Sequence, residues 1–391
     1  MTDSSSTHWP RVLVLWLCGV LAAFQFAKIA VALAPLQAHY AVTAASVGWV
    51  LSIPGTVGLL LGVMLGLLAP RWGYRRLLLG GLALGAAVNA AQCLLPPMQW
   101  LLASRVVEGA SHLAVVVATP VLMVAASAPH HRAMVMGLWS TFMGVGFALA
   151  GAFGSALVAH APVEAVFALH GAALVLVACL VLWVQAPDVP GVAPRMPLAT
   201  LWRHHIQIYT VWTSALPGLC FLGYTAMAMA LLSFMPQANG KHSVGLATTL
   251  PLMGIAGTLF AGWVAQHHVP PLRLARYAFV AVVVCALGWG AGQWANADTT
   301  VLALLLLFAA GVAGASAFVL IPALNHHPAE QARASGALAQ MGNLGATLGP
   351  PVFAWCMAQW GAQGLVVCVL SCASMGLGWI WWGTSMQRRT V

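Results

Sequence analysis

Apolar residues fill this chain in long blocks, interrupted only where Pro, His or Arg cluster. The blocks read as helices near 11–35, 45–69, 77–95, 99–128, 133–159 and 163–186. Six more follow near 206–236, 244–266, 275–296, 300–326, 334–358 and 363–385. One membrane crossing takes about 20 apolar residues, so the pattern predicts an all-α membrane protein with twelve spans and short connections. Ala32-Leu33-Ala34 would suit cleavage of a secretory leader. The first block is too long for the apolar stretch of such a leader, however, and is read as a span.

Composition narrows the class further. Of the 391 residues, 61% are hydrophobic and 5% charged, against about 25% charged in an ordinary soluble domain. This excludes a soluble enzyme, a disordered chain and a collagen-like repeat. The eight cysteines all fall inside apolar blocks without a C-x-x-C pair, and read as small apolar side chains. A net charge of +9 in a soluble protein would raise nucleic acid as a partner, but its placement here points elsewhere. Arg11, Arg71, Arg75, Arg76, Arg132, Arg195, Arg203, Arg273, Arg276, Arg333, Arg388 and Arg389 fall in segments that alternate to one side, and only Lys241 falls on the other. The positive-inside rule makes the Arg-rich side cytoplasmic, with both termini inside. Lys28 and Arg105 lie within spans.

The longest connection carries Pro187, Pro190, Pro194 and Pro197. It divides the chain into a bundle at 1–186, a cytoplasmic linker at 187–205 and a second bundle at 206–391. A weak repeat agrees: Gly109 and Pro120 recur as Gly311 and Pro322, and Arg132 and Gly144 as Arg333 and Gly345, at offsets of 202 and 201. Parallel six-helix repeats about an axis along the membrane normal are a known transporter plan.

The loop after the second block reads Gly66-Leu-Leu-Ala-Pro70-Arg71-Trp-Gly73-Tyr-Arg75-Arg76. It resembles the G-x-L-a-D-r-x-G-r-r signature of the major facilitator superfamily. Arg105-Val-Val-Glu108-Gly109 in the fourth block is similar to that family's R-x-x-q-G motif. The resemblance covers the whole chain. It implies two pseudo-symmetric six-helix bundles, a gate loop at Gly66, Arg71, Gly73, Arg75 and Arg76, and a central cavity lined by the first, fourth, seventh and tenth helices. Pro70 stands where the family has Asp, which alters the charge network at the inner gate. Met136-Gly137-Leu138-Trp139-Ser140 and Gln340-Met341-Gly342-Asn343 resemble the cyanate-permease-like branch, which implies small anions or organic acids. The fifth block lacks the Gly-Pro pair of the drug/proton antiporter motif.

An ionisable residue at bilayer depth is a functional candidate by default. Among the six acids only Glu108 falls inside a span. Arg105, Glu108 and His112 are spaced i, i+3, i+7 and share one helix face. Glu108 comes about 14 Å from its helix's outer end and Lys28 about 10 Å, at about 1.5 Å per residue. Lys28 and the Arg105/Glu108 face are therefore expected to meet around one site. Two cations and one acid favour an anionic substrate or the carboxylate of a zwitterion, with Glu108, or alternatively His112, carrying a coupling proton. The alternatives are a permanent Arg105–Glu108 packing pair, a snorkelling Lys28 and a plain core His112.

Gln25 shares the Lys28 face, and Tyr224 falls near the matching position of the second half. Gln340, Asn343 and Trp139 complete the candidate substrate-binding set; each also fits an interhelical bond or a packing role. Gly349-Pro350-Pro351 should bend the eleventh helix. The pairs His130-His131, His204-His205, His267-His268 and His326-His327 read as interfacial anchors, and no metal site is assigned. With no Walker-type G-x-x-x-x-G-K-[ST] pattern, ATP hydrolysis is not expected.

These readings converge on a monomeric secondary transporter in the cell inner membrane, without cofactor and not an enzyme. Its expected partners are a small anionic substrate, protons and membrane lipid, and not nucleic acid. The rival reading is a proton-coupled exporter of drugs or metabolites.

Overall fold

The computed structural model describes residues 6–128, 131–184, 209–239, 243–326 and 328–390. Among them every regular element is a helix. Nine of these helices are long and apolar enough to cross a membrane. The chain forms two compact units, one of Met1–Val42 with Thr56–Arg195 and the other of Thr43–Gly55 with Met196–Val391.

In the first unit, α1 is Trp9–Val31, and Pro10 opens it where no intrahelical N–H is needed. A short α2, Leu33–Tyr40, continues it and ends at Ala41 in the left-handed conformation. The second block is divided between α3, Ala44–Ser52, which belongs to the other unit, and α4, Pro54–Trp72. Helix α5, Tyr74–Gln92, follows immediately because Gly73 turns the chain at φ 87°, a conformation that strains any side chain. Pro97 caps the long α6, Met98–Ala125. The fifth block is broken where one helix was expected. It comprises α7 (Arg132–Ser140), α8 (Phe142–Leu149), a π-helical turn at Ala150–Gly154 and α9 (Ser155–His160). Helix α10, Glu164–Val184, completes the unit.

Helices α1, α5, α6 and α10 enclose an apolar core. It contains Val12, Leu15, Cys18 and Ala22 from α1, Leu78 and Leu82 from α5, Val115, Ala118, Leu122 and Met123 from α6, and Leu174, Val177 and Val181 from α10. Further along each helix the interior side chains turn polar: Gln25 and Lys28, Asn89 and Gln92, Arg105 and Glu108, and His170. The four helices thus stack a polar layer on one end of an apolar one.

The second unit holds α11 (Trp212–Ala238), α12 (Ser243–His267), α13 (Pro271–Trp294), α14 (Thr300–Leu324), α15 (Pro328–Trp360) and α16 (Ala362–Thr390). Lipid tails are as apolar as leucine, so small residues rather than hydrophobic burial bring such helices together. A Cβ on Gly311 of α14 would stand 2.2 Å from the Gly254 carbonyl oxygen of α12, and one on Gly349 of α15 the same distance from that of Ala226 on α11. Helix α15 runs through Pro350 and Pro351 as one 33-residue element. Helix α3 packs on it, with Gly48 close to Pro350 and Pro351. Large apolar side chains such as Trp183, 84% exposed, face outward as a lipid-facing surface requires.

Candidate functional site: a buried charge cluster

The polar layer of the first unit is a hydrogen-bonded cluster centred on Glu108. Lys28 Nζ donates to Glu108 Oε1 at 2.6 Å, to Asn89 Oδ1 at 2.6 Å and to Gln92 Oε1 at 3.0 Å. All three ammonium protons are thereby used. The Phe167 ring of α10 closes one side, its centroid 5.1 Å from Nζ. Arg105 donates through Nη1 to Glu108 Oε2 and through Nη2 to the Gln25 carbonyl at 2.6 Å. Gln92 Nε2 reaches Glu108 Oε2 at 2.9 Å, and Asn89 Nδ2 lies 3.5 Å from Oε1. Each carboxylate oxygen therefore faces two donors. The side chains of Lys28, Arg105 and Glu108 have no solvent exposure.

The local sequence explains the placement. Arg105 and Glu108 sit at i, i+3 on α6, so their side chains meet on one face. Asn89 and Gln92 repeat that spacing on α5 and present two amides, each giving an oxygen to Lys28 and a nitrogen to Glu108. The Asn89 amide is further oriented by donating to the Gly85 carbonyl at 2.8 Å. Isolated charges at this depth would cost several kcal/mol each, and pairing with satisfied hydrogen bonds offsets that.

The structure brings Lys28, Arg105 and Glu108 together, and Lys28 does not snorkel. Gln25 and His112 flank them. Gln25 Nε2 donates to Ser111 Oγ at 2.9 Å, and Ser111 donates to the Gly81 carbonyl at 2.7 Å. The His112 Nδ1 lies 3.1 Å from the Ala22 carbonyl oxygen, with Phe26 edge-on at 5.0 Å. The enclosing helices are α1, α5, α6 and α10 of one unit, so the cluster has walls that the cavity-lining expectation did not name. Asn89, Gln92, Phe167 and His170 were missed by sequence reasoning. The i, i+3 pair of amides inside an otherwise apolar third block was the signal available.

The other candidates lie apart from the cluster. Trp139 stacks on Phe142 at 4.4 Å and lies against Gly19 of α1, within this unit. Tyr224, Gln340 and Asn343 belong to the second unit. Tyr224 fills the space beside Gly314. Gln340 Oε1 accepts from Tyr209 Oη at 2.7 Å, and Asn343 Nδ2 donates to its own helix at Ala339. In the gate loop, Gly66 and Arg71 lie on α4, Gly73 makes the turn, Arg75 approaches the Leu182 carbonyl at 3.5 Å and Arg76 is exposed.

Of the histidine pairs, His130, His204, His205 and His327 lie outside the described residues. His131 Nδ1 is 2.9 Å from Thr7 Oγ1, and His267 Nδ1 is 2.9 Å from the Trp263 carbonyl oxygen.

Comparison with known proteins places the chain. It is 24% identical over 357 residues to the 3-(3-hydroxy-phenyl)propionate transporter of Escherichia coli (strain K12), covering 89% of this chain and 87% of that protein. It is 26% identical over 294 residues to the multidrug efflux pump LfrA of Mycolicibacterium smegmatis (strain ATCC 700084 / mc(2)155), covering 68% of this chain and 57% of the pump. Crystal structures of a bacterial homolog to the human lysosomal transporter Spinster share its fold. The inward-facing occupied form has a TM-score of 0.71 at 16% identity, and the unoccupied form 0.73 at 15%, each covering 96% of both chains. The family model of the Major Facilitator Superfamily matches residues 15–350. Apolar helices throughout, the signature loop between α4 and α5 and that match lead to one assignment: the chain is a membrane transporter of the major facilitator superfamily, and not an enzyme.

Proposed function

We propose that this transporter moves a small organic anion across the cell inner membrane together with a proton, by alternating access of two six-helix halves. The observation that carries the reading is the buried cluster in which Lys28 and Arg105 share one carboxylate, Glu108, and leave one positive charge over. A substrate carboxylate competes with Glu108 Oε1 for Lys28. Glu108, relieved of one cation, then takes the proton, so that anion and proton travel together. The substrate for which the Escherichia coli relative is named, an aryl propionate, is of the same chemical class. Twelve spans, a linker at 187–205 between two halves, cytoplasmic termini and a monomer complete the proposal.

The test is uptake of 3-(3-hydroxyphenyl)propionate into proteoliposomes under an inward proton gradient. Wild type should accumulate it. Lys28→Ala, purified as a monodisperse protein, should lose at least about tenfold, the equivalent of one charge-assisted contact of about 1.4 kcal/mol or more. Uptake by Lys28→Ala at the wild-type rate refutes the site. The similarity to LfrA supports drug export as the second reading. It predicts instead that deletion of the gene sensitises cells to cationic or neutral drugs and leaves organic-acid uptake intact.

A further inference from the structure

His170 on α10 takes no part in the exchange described above, yet it is built into the same cluster. Its Nδ1 lies 3.2 Å from Asn89 Oδ1, and its Nε2 lies 2.9 Å from the Leu21 carbonyl oxygen of α1. The identity of the Asn89 atom is fixed by its surroundings. The Lys28 ammonium donates to Oδ1, while Nδ2 donates to the Gly85 carbonyl. Both ring nitrogens of His170 therefore face acceptors. A neutral imidazole carries one N–H and satisfies only one of them, whereas the imidazolium carries two and satisfies both. The pocket is thus complementary to the protonated ring and one hydrogen short of complete when the ring is neutral.

A second ring proton adds to a cluster that already carries one positive charge in excess. The charged groups facing His170 are Lys28 from α1 and Glu108 and Arg105 from α6. Helix α5 presents the neutral Asn89 amide, and His160 on α9 is exposed. With a neutral ring the cluster sums to one positive charge, and protonating the ring raises it to two. While Glu108 stays ionised, an anion that neutralises Lys28, or removal of that lysine's charge, returns the sum to one with the ring protonated.

We propose that His170 is a proton-binding site of this cluster, taking its second ring proton when the charge of Lys28 is compensated by an anion. The proposal rests on the anion reading above and adds a proton carrier to it. It links anion binding to proton uptake at a position separate from Glu108.

The first test needs no substrate. In protein labelled with [15N]histidine, the His170 signal is assigned by its loss in His170→Gln. At about pH 7.5, above the ordinary histidine range, wild type should show one protonated ring nitrogen at His170. Lys28→Gln keeps an N–H donor beside Asn89 but removes the charge, and should show two. A ring that stays neutral in Lys28→Gln down to about pH 6 overturns the proposal.

The second test uses wild type and His170→Gln with 3-(3-hydroxyphenyl)propionate as probe, and serves also if Lys28→Gln does not fold. The slope of log Kd against pH counts the protons taken up with the anion. That slope should fall by about one in His170→Gln, and an unchanged slope overturns the proposal. Absence of any carboxylate binding by wild type defeats the anion reading alone, because the labelled-histidine result stands without it.

Discussion

Removing the carboxylate of Glu108 should be the most damaging single substitution in the first unit. Glu108→Gln leaves Lys28 and Arg105 buried with no counter-charge, and turns an N–H2 group toward a pair of donors that previously faced an oxygen. Breaking a buried ion pair from one side costs about 3–5 kcal/mol. At about 2–4 °C per kcal/mol for a domain of this size, the melting temperature falls by about 6–20 °C. Lys28→Met is milder. It leaves Glu108 paired with Arg105 and still receiving Gln92 and Asn89, leaves Asn89 Oδ1 beside His170 Nδ1, and orphans the Gln92 amide oxygen at about 1–3 kcal/mol. The double substitution removes one of the stranded cations, so it should melt no lower than Glu108→Gln alone, against additivity. The assay is thermal unfolding of detergent-purified protein followed by tryptophan fluorescence. Glu108→Gln melting within about 2 °C of wild type, or above Lys28→Met, would refute the account of the cluster as a carboxylate holding two cations.

Two further outcomes follow from the packing. Gly311→Ala places a methyl group against the Gly254 carbonyl and should force α12 and α14 apart at a cost of about 1–3 kcal/mol. Gly80→Ala meets nothing within 4 Å and should be neutral or stabilising by up to about 1 kcal/mol; equal melting temperatures for the two variants would contradict the close approach. Gln92→Leu removes an acceptor from Lys28 and a donor from Glu108, worth about 1.5–3 kcal/mol. Ser104→Ala, which touches the same amide but no charge, should stay within about 0.5 kcal/mol in the same melt.

The helical, membrane-embedded character of the chain was legible because block length and charge scarcity are properties of composition alone. The site was legible where charge made it conspicuous. Lys28, Arg105 and Glu108 are rare residue types in their blocks, and helical spacing fixed the shared face of the latter two. The neutral partners were not, since Asn89, Gln92 and His170 resemble any interhelical bond until the helices are packed. The same limit applied to Trp139, whose aromatic surface suits a ligand wall or a packing contact equally well until Gly19 is found beneath it. The fracture of the fifth block also escaped periodicity. Its π-helical turn, Ala150–Gly154, lies within small and apolar residues that carry no break signal.

The 80-residue separation between Lys28 and Glu108 bears on how the protein is made. The ribosome delivers the lysine long before its counter-charge, and a lysine within an inserting helix is costly, by up to about 2.5–3.5 kcal/mol at the helix centre and less in the last turn of α1, where Lys28 sits. Nascent chains ending before α6 therefore hold an unneutralised ammonium among lipids or at the insertion machinery. Arrival of α6 is the step at which that ammonium first meets its counter-charge during biogenesis.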